Sequence, residues 1–296
     1  EDGAPVIERR THDCLLCHIS GRTEEVPGHQ VRSMKTDSTG RPIFSAGSFT
    51  TSHESPLNER WGGWYVTGKL SGQAHMGNVL TRTDERNVRK NAKAAADVLD
   101  LASRLNLKPY LSPHSDVVAL LVLEHQIKMH NLITVANYQG KLALQYAKEM
   151  NKAFGEPEGT ISEATARRFD GPSEAIVKYM LFAEETELKG RIEGTSTFAA
   201  DFTARGPRDE AGRSLRDFDL KTRIFKHPCS YLIYSRAFEA LPEPIKDRVY
   251  RRLWEVLTNR DDSPAYARRT AEQRRAILEI LLATKSGLPD YWREAN

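Results

Sequence analysis

The chain has 296 residues, 39% of them hydrophobic and 28% charged, with 43 basic against 40 acidic side chains and a formal net charge of +3. That length gives one large domain or two ordinary ones, with enough apolar content to bury a core as a soluble globular protein does. The near-balance of charge argues against a dedicated nucleic-acid binder, and the longest apolar stretch, Val117 to Leu123, falls far short of the run of about 18 residues that would cross a bilayer.

The first element is also the most specific. Cys14-Leu15-Leu16-Cys17-His18 has the C-x-x-C-H spacing of covalent c-type haem attachment. Each thiol can add to one haem vinyl group, and the adjacent histidine then serves as an axial iron ligand. A short helix starting near Thr11 or Asp13, either of which can cap it, is expected to carry the motif. Zinc is an alternative that would need further ligands, and Cys229 lies far off in sequence. A redox dithiol or a Cys14–Cys17 disulfide is another, although no βαβ pattern flanks the motif. Cys229 itself reads as a small buried hydrophobe, with a reactive thiol or an intermolecular disulfide as the other possibility. Haem attachment of this kind takes place outside the bacterial cytoplasm. The expectation is therefore a mature periplasmic or otherwise exported protein from which a signal peptide has been removed.

Residues 21–80 have little periodicity and many Gly, Pro, Ser and Thr, yet they carry Phe44, Phe49, Trp61, Trp64 and Tyr65. They are expected to form an ordered, loop-rich wrap with short strands, able to supply apolar walls to a cofactor. Asn87 to Leu105 reads as an amphipathic helix through Val88, Ala92, Ala95, Val98, Leu99 and Ala102. Ser115-Asp116 opens the strongest helix, running to about Ala153, with Val118, Leu121, His125, Leu132 and Ala136 on one stripe and Gly140 as a point of bending. Residues 154–170 read as loop, Pro172-Ser173 as the start of another helix, and residues 188–226 as charged and irregular. Tyr231 to Ala240, Pro244 to Thr258 and Ala271 to Ala283 complete the helical segments. The fold expected is mainly α: a loop-rich haem-binding part over residues 1–85 packed on a multi-helix body over residues 86–296, the two able to form one integral domain.

If haem is attached, His18 is the proximal ligand and the other axial position decides the chemistry. Met76, in Ala74-His75-Met76-Gly77-Asn78, leads, because the methionine of small His/Met cytochromes c also returns from a downstream loop. Against it stands an ordinary core methionine, with His75, His29, His53 and the His125/Met129 face of the long helix as other candidates. Arg60-Trp61-Gly62-Gly63-Trp64-Tyr65 is the most unusual run: Gly-Gly permits close backbone approach, and Trp61 and Trp64 either flank a haem edge or anchor a core. Arg60, with Arg32, Arg41 and Lys69, is a candidate counter-charge for haem propionates. Basic clusters at residues 86–90, at Arg248, Arg251 and Arg252, and from Arg268-Arg269 to Arg274-Arg275 read as solvated helix faces or as docking sites for an acidic redox partner.

Taken together, the attachment motif, residues 26–33, Ser55-Pro56, the Arg60 to Gly68 run, His75 to Asn78, Leu123 to Asn131 and Pro228 to Tyr234 resemble a group of exported bacterial monohaem cytochrome-c-domain proteins. The resemblance spans most of the chain. It implies one covalently attached haem c and an integral helical body, and it carries no established activity. The function expected is periplasmic electron transfer with a redox partner protein. The alternative is a haem enzyme, peroxidase-like or acting on another small molecule, with an open or displaceable distal site; a ligand sensor is a third possibility.

Overall fold

The helix that organises the fold begins where a short polar side chain meets an apolar run. A computed structural model of the chain describes residue 9 and residues 12–79 and 97–295. Asp116 is the N-cap of a 38-residue helix, Val117–Phe154. Its Oδ1 accepts the Val118 and Ala119 amides at 2.8 and 3.3 Å, while Oδ2 accepts the Thr195 and Ser196 amides and the Ser196 hydroxyl at 2.7–2.8 Å. One carboxylate thus satisfies two orphan helix donors and pins a second segment to the helix start. Gly155, in the left-handed region, ends the helix. At 1.5 Å per residue it is about 57 Å long.

Among the described residues, the helices in chain order are α1 (Leu15–His18), α2 (Val117–Phe154), α3 (Glu163–Arg167), α4 (Asp170–Met180), α5 (Phe198–Ala204), α6 (Arg236–Glu239), α7 (Glu243–Leu257) and α8 (Ala271–Thr284). Two short strands, β1 (Arg32–Met34) and β2 (Ser48–Thr50), pair antiparallel with Ser33 opposite Phe49. The described residues are therefore mainly α, with little sheet. The stripe expected on α2 is buried in full: Val118, Leu121, His125, Leu132 and Ala136 all face inward. The helix runs through Gly140 without a break, and Pro242 and Ile245 pack against that position. α4 packs against both α2 and α7, and α8 packs on α7. Ile176, Val177 and Met180 of α4 meet Val249, Leu253 and Val256 of α7 and Ile277, Ile280 and Leu281 of α8 in one core. Each such side chain contributes about 1.5–3 kcal/mol by leaving water.

The structure departs from the sequence reading in several places. α4 begins at Asp170, two residues before Pro172, because the amide that proline lacks would go unpaired in a first turn anyway. A short helix, α3, lies within the expected loop, and α5 within the expected irregular region. Of the helix expected over 87–105, residues 80–96 lie outside the described residues, and 97–105 are not helical. Val98 pairs with Gly68, whose amide donates to the Val98 carbonyl at 2.8 Å, and Asp97 accepts the Leu70 amide at 2.7 Å. Tertiary pairing overrides local propensity there. The segment 231–240 divides into a 3₁₀ turn and α6, because Ser235 is extended and caps α6 through the Phe238 amide.

Residues 21–79 form 3₁₀ turns, the two-stranded ribbon and loops. A two-stranded ribbon is not stable alone. Leu57, Trp61, Val66 and Leu70 from this part belong to the same buried cluster as Val117, Leu121 and Met180 of the helical body. Among the described residues, no helix is long and apolar enough to cross a membrane.

Candidate functional site

The C-x-x-C-H residues occupy α1, a single exposed turn. Cys14 is its N-cap and no side chain caps it, so Asp13 does not serve in the expected way; Thr11 lies outside the described residues. Residues three apart share a helix face. Cys14 and Cys17 are therefore presented together, and both thiols are free and exposed. Leu15, Leu16 and Ile19 beside them also expose apolar side chains. Ser20 stops the turn: its hydroxyl donates to the Cys17 carbonyl at 3.1 Å and caps the following 3₁₀ turn at Gly21–Thr23.

His18 is held by a reciprocal pair of bonds. Its Nδ1 lies 2.8 Å from the Gly28 carbonyl oxygen, and the Gly28 amide donates to the His18 carbonyl at 3.0 Å. A carbonyl accepts only from a protonated nitrogen, so this contact sets the tautomer with the proton on Nδ1 and leaves the Nε2 lone pair available. Among the described residues Nε2 makes no hydrogen bond.

The body holds this segment through α2. Asn131, fully buried, accepts the His29 amide at 3.2 Å and donates to the His29 carbonyl at 2.7 Å. Gly28 must be glycine for this to happen: a Cβ there would lie 2.4 Å from Asn131 Oδ1. Lys128, one turn earlier, is ion-paired with Glu24. One turn earlier again, Glu124 accepts the Thr51 hydroxyl at 2.7 Å and pairs with Arg60 at 2.9 Å, both side chains of the pair only 1% exposed. Arg60 also donates to the His53 and Ser55 carbonyls. Burial raises the Glu124 carboxyl, opposed by Arg60 and the Thr51 bond. Glu124, Lys128 and Asn131 thus form a polar ladder along a helix whose buried face is otherwise largely apolar.

Behind the ladder lies a sealed imidazole pair. His53 Nδ1 and His125 Nδ1 are 2.8 Å apart, and His125 Nε2 is 2.8 Å from the Ser230 hydroxyl. Both rings are fully buried and stacked with Tyr179 and Phe182. Burial pushes His125 down to about 3, and burial, His125 and Arg60 drive His53 well below its usual range. Two neutral rings sharing one proton satisfy this geometry; two charged ones do not.

These placements sort the sequence candidates. Arg60 is enclosed by Glu124 and backbone carbonyls, and Trp61 is buried in the core with φ of +66°. Trp64 is partly buried and its Nε1 donates to the Arg32 carbonyl at 2.8 Å. The Gly-Gly of this run does bring backbones together: Gly62 packs on Met34, donates to Ser33 Oγ at 2.7 Å and accepts the Met34 amide at 3.1 Å. Met76 is half-buried and its sulfur accepts from Ser33 Oγ at 3.7 Å. His75 is buried edge-on to Trp61, and its Nδ1 accepts the Gly77 amide at 3.0 Å. His53 and His125 are bonded to one another, Met129 is buried in the core, and His29 is exposed beside His130. Arg269 and Arg274 are correspondingly not solvated: each is 7% exposed and donates to carbonyls at the ends of α4 and α7. Cys229 is buried, and burial pushes its thiol up to about 12. Among the described residues no group of three or more His, Cys, Asp and Glu side chains gathers as a metal site.

A polar cavity of about 350 Å³ lies between the segment after α1 and the ladder, lined by Arg22, Gln30, Thr51, Glu54, Lys128 and Asn131. The Gly28 carbonyl, Asn131, Lys128 and Ser230 were not found by reasoning from sequence. The signal that points to the helix residues is three polar side chains at i, i+4 and i+7 within an apolar stripe. Compared with known proteins, the chain matches no family profile, no curated protein and no solved structure.

Proposed function

We propose that this chain is an exported monohaem c-type cytochrome that transfers electrons to or from a partner protein. The observation that carries the reading is the orientation of His18. Its Nδ1 is tied to the Gly28 carbonyl at 2.8 Å, the outer-shell bond that a metal-ligating histidine uses to fix its ring and present the other nitrogen. Cys14 and Cys17, free and exposed one turn apart on the same helix, suit two thioether bonds, and exposed Leu15, Leu16 and Ile19 suit contact with an apolar macrocycle. When bound, the haem iron supplies one-electron transfer. Around it the chain's part is positioning: Gly28 orients His18, and Asn131 and Lys128 fasten that segment to α2. Met76 would be the second iron ligand: among the described residues its sulfur is engaged only by a weak Ser33 O–H···S contact, which comes free at small cost.

A second reading, a haem enzyme with a displaceable distal position, is favoured by the polar cavity beside the attachment segment. One set of measurements on the full chain separates the outcomes. Haem staining after denaturing electrophoresis, with a pyridine haemochrome spectrum, is expected to show one covalent haem c, lost when Cys14 and Cys17 are both replaced by Ser. A negative stain on the wild type overturns both readings. Near-infrared magnetic circular dichroism of the oxidised protein is expected to show low-spin iron with a sulfur ligand, abolished by Met76→Ala; high-spin iron supports the enzyme instead.

A further inference from the structure

The arginine cluster at residues 268–269 has a place in the fold that electron transfer does not explain. Arg269 and Arg268 meet Arg223 around a small cavity of about 190 Å³, whose other polar lining is Thr222, Glu185 and Glu187. That is space for about six waters, or for one small oxyanion with its remaining hydration. Among the described residues none of the three guanidiniums is ion-paired, and two of their buried donors, Arg223 Nη1 and Arg269 Nε, have no hydrogen-bond partner. Arg269 is 7% exposed, and its Nη2 is committed to the Leu181 and Phe182 carbonyls. Its Nε–H is an unpaired donor on a buried cation, which is unfavourable unless something accepts from it.

The two carboxylates do not supply that acceptor. One oxygen of Glu185 accepts the Ile224 amide at 2.8 Å, and Glu187 is exposed. Burial, working against the Ile224 bond, Arg223 and Arg269, lifts Glu185 to about 7, which weakens it as a counter-charge near neutrality. Three guanidiniums then face fewer than two full negative charges. Like-charge crowding shows on Arg269, which burial and then Arg223 lower to about 10. Donors fixed in a planar fork, an excess of positive charge and a cavity of this volume are what recognition of an oxyanion requires.

We propose that this cavity is a binding site for one small tetrahedral oxyanion of the sulfate or phosphate class, held by Arg223, Arg268 and Arg269. The site lies behind Phe182, a bulky residue at φ +54° whose carbonyl Arg269 holds and whose ring stacks at 4.5 Å on His53 and 4.4 Å on His125. An anion there neutralises the arginine that maintains this strained turn.

Sulfate is the probe, because it does not titrate near neutral pH. Calorimetric titration of the full chain with sodium sulfate at constant ionic strength is expected to give saturable binding at one site. Arg223→Gln and Arg268→Gln, whose side chains hold no carbonyl, are expected to weaken it tenfold or more. Their melting temperatures in sulfate-free buffer should match the wild type, which shows that they fold. Sodium chloride at the same ionic strength is expected to give no saturable heat. Absence of saturable sulfate binding, or equal affinity in wild type and both variants, overturns the site. The measurement reads the same with or without haem.

Discussion

At the scale of single residues, Gly28 decides more than its size suggests. Its carbonyl orients His18, and the absence of a side chain lets Asn131 reach the His29 backbone. In Gly28→Ala the new Cβ and Asn131 cannot share the space, so the Asn131 bonds break or the Gly28 carbonyl turns away. The thiols are untouched, so on the haem reading the cofactor would stay covalently attached. The midpoint potential should shift, and urea unfolding should show a loss of about 1–3 kcal/mol from the broken buried bonds. Asn131→Leu should reproduce the stability loss, because it strips both bonds from His29. A potential and a stability unchanged in both variants would show that the clamp is not there. The Cys14, Cys17 and His18 spacing was legible in the sequence because it is a strictly local pattern of five residues. Gly28 was not, because a glycine in a loop rich in glycine carries no mark of which neighbour it accommodates.

At the scale of elements, α2 divides its burial between packing and a polar ladder, and the rungs differ in strength. Glu124 and Arg60 are both excluded from water, whereas Lys128 and Glu24 are each about one-third exposed. Removing one partner of a buried pair leaves an uncompensated charge and costs about 3–5 kcal/mol; a partly exposed pair is worth about 1 kcal/mol or less. Glu124→Gln is therefore expected to destabilise severalfold more than Lys128→Met, as chemical denaturation monitored by circular dichroism would read. Equal losses would mean that the Arg60 pair is solvated. Helices with a long apolar stripe, α2, α7 and α8, were legible to within a residue or two at each end: a polar N-cap marks the start of α2 and α8, and a proline in the first turn that of α7. Residues 97–105 were not: Val98 is buried as a helix would bury it, but by pairing with Gly68 while Asp97 accepts the Leu70 amide, information that lies outside any local window.

For the whole molecule, the sealed imidazoles and buried carboxyls pull stability in opposite directions with pH. A free imidazole protonates near 6.5, and His125 in the folded chain only near 3. Between those values the unfolded state binds a proton that the native state refuses. The stability His125 contributes is thus complete above 6.5 and declines as pH falls towards 3, by about 1.4 kcal/mol per pH unit. Glu185 has the opposite sign. Its folded value is raised from 4.5 to about 7, so its contribution is complete below 4.5 and is lost as pH rises through 7. The two compensate in the weakly acidic range. Comparing wild type with His125→Phe reads the imidazole pair, since His53 loses its bonded partner as well: the wild type's advantage should shrink as pH falls from 6.5 to 4. A difference independent of pH would mean that His125 is charged or exposed in the native state.

The clamp on His29 joins residues 102 positions apart in the chain, and the bond from His125 to Ser230 joins residues 105 apart. Contacts of such separation close late, since the intervening chain must first be made and brought round. The α1 turn, close to the start of the sequence, is thus made long before the helix that steadies it. During synthesis there is an interval in which Cys14 and Cys17 are present on an unconstrained chain and Gly28 has no partner behind it. On the haem reading, attachment would follow export, and the exposed α1 turn would present both thiols whether or not those long-range bonds had closed.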